Sequence, residues 1–449
     1  MRKYTGSYTS SFSGAEMHCR VCDSTDFSLA VDLGNHPWGN HFLQLHEIGT
    51  EPFYPLRVIY CNRCKSAQLD YTVKKEVMFS EHTYLSGVTR TLAAHFEKIA
   101  TQVDRRFFRQ QKSKFVLDIG SNDGTQLRAY QKLGYQVLGV ESAKRISEIA
   151  QINGVPTIHD FFNLQTADRI GKTYDVINAS GVFFHLEEIH SVTDAICKYL
   201  KEDGVFVVQF LYMKTIMENI AFDQIYHEHL LYYTLETVDV LLRQHGLSLF
   251  DAEFSPIHGG SMIGYVSHQG VRNPTERLRQ LQKEEQVSGC NDLAAYEQFA
   301  RNVLILKRHN LQFFEQRKGK KIYGMGAPVK GNTLLNYFGI GRNYLECLVE
   351  KNELRRGLFS PGMHLPIRIE NEVDPPEIYY VLAWNFKKEI LQNNEHLIQN
   401  GVEFYFPIDP QKRVQKRASL KRLTLENVFQ KNLQLLKAKR QSDSVSLKG

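Results

Sequence analysis

The chain has no apolar run near the roughly 18 residues that a membrane-spanning helix requires, and no apolar core of a secretory leader. A cytoplasmic location with no membrane span is therefore expected. A repeat of solenoid period is also missing, which sets aside stacked-repeat architectures. A basic body is lacking too. The formal net charge of +6 is concentrated in residues 411–449, which carry eleven Lys or Arg against two acids, whereas residues 1–410 carry 44 against 47. A near-neutral body gives nucleic-acid binding little support. The basic stretch 411–440 reads as an amphipathic helix, with 441–449 disordered.

Cysteine is sparse, with seven in 449 residues, and four of them form two C-x2-C pairs, Cys19/Cys22 and Cys61/Cys64. The others, Cys197, Cys290 and Cys347, stand singly. In a reducing compartment, paired spacing of this kind argues for metal rather than disulfides. Four thiolates complete the tetrahedral shell that zinc prefers, so the metal is expected to be structural.

What is present in quantity is β–α alternation. The length suits about three domains, and the hydrophobic content of 42% is that of an ordinary globular protein. Residues 1–78 read as short strands and turns around the cysteine pairs, the zinc-binding domain. Residues 79–250 contain "KFVLDIGSNDGTQLRAYQKLGYQVLGVES", a strand, glycine turn, helix and strand, followed by two more strand units. Such alternation implies a parallel sheet covered on both faces. After 250, a helical run over 271–317 leads to "KKIYGMGAPVKGNTLLNYFGI" and further strands, a second α/β unit over 251–410.

The first glycine turn lacks the G-x-G-x-x-G fingerprint of dinucleotide binders. A pyrophosphate disfavours acids at such a turn, yet "LDIGSNDG" holds Asp118, Gly120, Asn122, Asp123 and Gly124. Acids suit a ligand with positive groups, such as the ammonium and sulfonium of S-adenosylmethionine (SAM). Glu141 ends the next strand, where an acid accepts hydrogen bonds from a ribose. These residues favour a methyltransferase over a dehydrogenase.

The segment "FDQIYHEHLLYYT" places His227, Glu228 and His229 among Tyr226, Tyr232 and Tyr233. Alternation in an extended segment would put both histidines on one side. A metal site, an acid–base cluster and a plain surface or core patch all remain open from these residues alone. The second glycine loop, "GMGAPVKGN", brings Lys330 and Asn332 to a helix N-terminus, a setting that suits phosphate.

In order along the chain, the cysteine pairs, "QLDYTV", "HTYLSGVT", "LDIGSNDGT", "FDQIYHEH", "PIHGGS", "GMGAPVKGNTLLN", "PGMHLPI" and "AWNFKKEI" resemble the three-domain sugar C-methyltransferases that act on nucleotide-linked 4-keto-deoxysugars. The resemblance covers about residues 15–410. It implies a zinc-binding domain, a Rossmann-like SAM domain and a C-terminal Rossmann-like domain that helps to hold a sugar nucleotide, with methylation at C3 by family weight; a dTDP-linked sugar and a monomeric chain are expected. It further implies that Tyr84, His185, Glu228 and His229 face the reacting sugar, which turns the reading of "HEH" toward acid–base chemistry. Tyr226, His227, Gly260, Ser261, Lys330, Asn332 and Arg355 are expected on the substrate side. The chain departs from the family pattern at Gly181 and Phe184 before His185, at Ile263 in place of an arginine, and at Glu350 and Arg355. Sugar O- or N-methylation and a nicotinamide-dependent oxidoreductase are the competing activities, and a zinc-ribbon adaptor is the non-enzyme alternative.

Overall fold

The computed structural model describes residues 17–80, 85–88 and 90–409. Tyr84 and the basic tail 411–449 lie outside the described residues. No helix among the described residues is long and apolar enough to cross a membrane.

The first sheet is antiparallel, built from β1 (Phe27–Pro37), β2 (Phe53–Cys61) and β3 (Ala67–Leu69). The second holds β4 (Phe115–Ile119), β5 (Gln136–Glu141), β6 (Thr157–His159), β7 (Tyr174–Ser180) and β8 (Leu200–Leu211), all parallel. These strands are rich in Val and Ile because helices cover both faces and leave no wet side. A short strand, β9 (Leu231–Tyr232), leaves this sheet and pairs with β3 (Ala67 opposite Tyr232), so the "YHEHLLYY" segment adds a strand to the cysteine-bearing sheet. Two antiparallel strands, β10 (Leu247–Ser255) and β11 (Ser261–His268), complete the second sheet in the order β10-β11-β8-β7-β4-β5-β6. The sheet thus runs on to His268, and a division at residue 250 would cut β10.

The helical run after 271 is two helices, Glu276–Ser288 and Leu293–Glu315, parted where Gly289 takes a left-handed φ of 65° and ends the first. The third sheet is wholly parallel, from β12 (Ile322–Met325), β13 (Leu348–Glu350), β14 (Ile367–Ile369), β15 (Ile378–Val381) and β16 (Glu403–Tyr405), in the order β14-β13-β12-β15-β16. In the second and third sheets alike, the first strand lies between neighbours whose connections leave in opposite directions. Ligands of open α/β sheets bind at that reversal, beyond the carboxyl ends of the strands. Both glycine turns occupy such a point. One apolar core joins all three sheets, from Val21 and Val58 through Phe206 to Leu348.

Candidate active site

Four sulfurs meet at one end of the first sheet. The Sγ atoms of Cys19, Cys22, Cys61 and Cys64 all lie within 4.8 Å of one another, with Cys19–Cys64 and Cys22–Cys61 at 3.6 Å. Zinc–sulfur bonds of about 2.3 Å in a tetrahedron set sulfurs roughly 3.8 Å apart, so the cluster fits the ion and leaves no open position for substrate.

The turn after β4 is built by backbone strain and carboxylates. Gly120 has φ 66°, Asn122 has φ 51°, and a Cβ on Gly120 would sit 2.6 Å from Val182 Cγ1. Only glycine permits that approach, which brings the loop carrying His185 against the turn. The Glu141 carboxylate faces the same turn and accepts from the Asn122 N–H at 2.9 Å and the Ala143 N–H at 2.8 Å. Asp118 is buried beneath, and burial, reinforced by the charge of Glu141, pushes its carboxyl well above the usual range. Carboxyl groups gathered at such a turn suit a cationic ligand. Asn122 and Asp123 do something else with their side chains. Asn122 Oδ1 accepts from the Ser86 N–H at 2.9 Å, and Asp123 accepts from the Gly87 N–H at 2.8 Å and from the Thr125 hydroxyl at 2.6 Å. They clamp the chain at 86–87 onto the turn.

Beyond β7 the loop "VFFH" presents His185, and the turn 225–229 presents His229, their ring centroids 5.1 Å apart. Each imidazole donates its Nδ1–H to a backbone carbonyl, His185 to Glu228 and His229 to Gln224 at 2.6 Å. A carbonyl can only accept, so Nδ1 carries the proton and Nε2 carries the lone pair when the ring is neutral. Burial, aided by the neighbouring His185, holds His229 well below the ordinary histidine range, so it stays neutral. Tyr226 lies over His229 at 3.8 Å between centroids, and Phe184 packs edge-on at 4.7 Å. Phe79 touches His185 at 5.4 Å from another direction.

Three sequence profiles match consecutive parts of the chain: a zinc binding domain over 19–79, a methyltransferase domain over 92–251 and a C-methyltransferase C-terminal domain over 256–409. The protein is a SAM-dependent C-methyltransferase. The C-methyltransferase NovU of Streptomyces niveus is 28% identical over 408 residues, covering 88% of this chain and 96% of the relative. Among solved structures, the SAM-bound magnesium protoporphyrin IX methyltransferase of Synechocystis PCC 6803 is 12% identical with a TM-score of 0.31, covering 39% of this chain and 79% of its own. A SAM-dependent methyltransferase of Clostridium acetobutylicum ATCC 824 is also 12% identical, with a TM-score of 0.33, covering 40% and 92%.

The methyltransferase departs from the sequence reading at several residues. His227 and His229 do not share a side, because 226–229 is a turn closed by the His229 N–H on the Tyr226 carbonyl rather than an extended strand. His227 instead donates to the Pro55 carbonyl at 3.3 Å and meets the Tyr54 ring edge-on, buried against the zinc-domain sheet. The only group of metal-ligating side chains found among the described residues is the cysteine cluster, so "HEH" is not a metal site there.

Four expected substrate residues make contacts within the protein. Gly260 packs on Thr215, where a Cβ would approach to 2.3 Å, and Ser261 donates to the Ile257 carbonyl. Asn332 donates to the Gly39 carbonyl at 2.7 Å. Arg355 donates to the Ala327 carbonyl, pairs with Glu350 and lies over the Phe42 ring at 4.2 Å. Lys330 is covered as well. Its Nζ rests over the Trp384 ring at 3.9 Å and lies 3.9 Å from the buried Asp223 carboxylate, with no hydrogen-bond partner among the described residues. Burial lowers Lys330 to about 8 and raises Asp223, outweighing their mutual attraction in both cases.

Residues that sequence reasoning passed over stand at the same turn. Trp38 Nε1–H donates to Glu228 at 3.0 Å, and Trp384 Nε1–H donates to Asp223 at 2.6 Å. The chain has two tryptophans, and both aim at carboxylates of one eight-residue segment. Their scarcity was the available signal. Gln224 donates to the carbonyl of His258, which has φ 58°, and burial followed by the Lys330 charge lowers the His258 ring to about 4. A cavity of about 500 Å³ shares Trp384 with this cluster, but its lining includes none of His185, Glu228 and His229.

Proposed function

We propose that the methyltransferase acts on a nucleotide-diphosphate-linked 4-keto-deoxysugar, dTDP-linked, and places the methyl group on C3 through an enolate, as a step of deoxysugar biosynthesis. The observation that supports this most is the pair of imidazoles, His229 and His185, oriented through Nδ1 and held beside the glycine turn. A sugar carbon becomes a nucleophile only after it loses a proton, and the adjacent ketone makes that loss accessible. His229 Nε2 is the base. It is neutral by burial, and its Nδ1–H, tied to the Gln224 carbonyl, keeps the tautomer fixed as the ring takes up charge. Tyr84 meets the enolate oxygen as charge develops on it, and His185 does so in its protonated form, with Nε2–H as the donor. Glu228 binds a sugar hydroxyl, and Tyr226 stacks over the base. The Asp118–Glu141 cradle binds the cofactor, with Glu141 on the ribose. SAM, when bound, supplies an electrophilic methyl. Excluding water around the carbanion is the task of the buried turn 222–229.

Deuterium exchange separates carbanion formation from methyl transfer. With S-adenosylhomocysteine present, the wild-type protein in D2O should exchange the hydrogen next to the ketone of a dTDP-linked 4-keto-2,6-dideoxysugar, and His229→Ala should not. Wild-type exchange in His229→Ala would remove it as the base, and the Tyr84→Phe protein then identifies the phenol instead. No exchange by the wild-type protein, together with methylation of a hydroxyl, would point to O-methylation.

A further inference from the structure

We infer that Trp38, carried by the zinc domain, is a positioning residue for the methyl-transfer site, acting through the Glu228 carboxylate. The inference rests on the proposed role of Glu228 at the substrate. Trp38 follows directly on β1, and its indole N–H lies 3.0 Å from Glu228 Oε1. Three contacts with the C-terminal domain hold the loop that bears it. The Gly39 carbonyl accepts from Asn332, the Arg355 guanidinium covers Phe42, and Leu43 and Phe359 exchange two backbone hydrogen bonds. A Cβ on Gly39 would come within 3.2 Å of Val329, so the loop lies close on that domain. The indole therefore reaches Glu228 from a support independent of the turn 222–229.

Glu228 itself is 9% exposed, and its own carbonyl accepts the His185 Nδ1–H. A hydrogen bond from an indole favours the ionised carboxylate and restricts its rotation. Were Trp38 only apolar filling, a ring without the N–H would serve equally.

A mutant cycle tests this on the full-length zinc-loaded protein, using the exchange reaction of a dTDP-linked 4-keto-2,6-dideoxysugar. Trp38→Phe should keep its zinc content and its SAM affinity within about twofold, yet lose roughly tenfold or more in exchange rate, and its acid limb should move to higher pH. Trp38→Tyr, which retains a donor, should recover part of the rate. In a Glu228→Gln background, Trp38→Phe should add nothing. Losses that multiply in the double variant, or equal rates for Trp38→Phe and wild type, would overturn the inference. A Glu228→Gln protein that exchanges at the wild-type rate would instead overturn the role of Glu228 and, with it, the reason for the indole.

Discussion

At the scale of single residues, burial and hydrogen-bond direction decide what each ionisable group can do. His229→Ala should retain SAM binding while turnover falls by about a hundred- to ten-thousandfold, the usual worth of a placed base. Glu141→Ala should raise the dissociation constant for SAM by roughly tenfold or more, since a charge-assisted hydrogen bond contributes about 1.5–3 kcal/mol. Isothermal titration checks this, and unchanged affinity would place the ribose elsewhere. His227 yields a pH prediction. Burial lowers it to about 4 in the folded protein, whereas the unfolded chain takes its proton near pH 6.5. Between those values the unfolded state binds more protons, so stability is present above pH 6.5 and is lost as pH falls toward 4, by up to about 1.4 kcal/mol per unit. His227→Phe should flatten the fall of Tm between pH 7 and 5 relative to wild type, and parallel curves would refute the assignment.

At the scale of elements, β9 ties the 222–229 turn to the zinc domain. Leu231 and Tyr232 complete the sheet beside β3, and the Leu69 N–H donates to the Leu230 carbonyl at 3.0 Å. Removing zinc with a chelator should therefore loosen more than residues 19–79. Amide hydrogen exchange should rise at 230–233 as well, while the β4–β5 turn stays protected and SAM binding persists. Protection of 230–233 that survives loss of the metal would show that β9 holds its place without the sheet. The glycine turn works at this scale too. Gly120 accepts the Val182 side chain where any Cβ would collide, so the loop of His185 and the glycine turn are one packed unit.

For the molecule as a whole, the seams between domains carry buried charge. Asp223 is fully buried and its nearest cation is Lys330, from the third sheet's first helix, with Trp384 donating from beyond β15. Lys330→Met leaves that carboxylate without counter-charge and should destabilise the protein by about 3 kcal/mol in urea unfolding. The double variant Asp223→Asn/Lys330→Met should regain most of that loss, because no buried charge remains. Strictly additive losses would mean that the two residues act separately. The zinc-domain strand ends and loops reach the C-terminal domain at further points, such as Glu51, which accepts from His364 at 2.5 Å and from the Gly362 N–H at 3.1 Å. The 222–229 turn thus sits where three domains meet.

Local patterns in the chain determined the cysteine cluster, the two glycine turns, the β–α alternation and the pairing of acids at the cofactor turn, since each follows from spacing within a few residues or from periodicity. Asp118, Gly120 and Glu141 were read in that way, whereas His185 and the acid–base reading of His229 came from the resemblance to the sugar C-methyltransferases. Tertiary structure alone decided the company they keep. Trp38 and Glu228 are 190 residues apart, and Trp384 and Asp223 are 161 apart. Periodicity reports which side chains are buried but not which distant partner meets them. For the same reason Lys330 and Asn332, which read locally as phosphate ligands, and Arg355, placed on the substrate side by the resemblance, have contacts at domain seams that no local pattern showed. There a buried polar group needs a hydrogen bond or a counter-charge, and only another domain can supply it. The turn at 226–229 shows the same limit within a few residues. Alternation of polar and apolar side chains suggests a strand, but pairing begins only at Leu231, where β3 provides the edge.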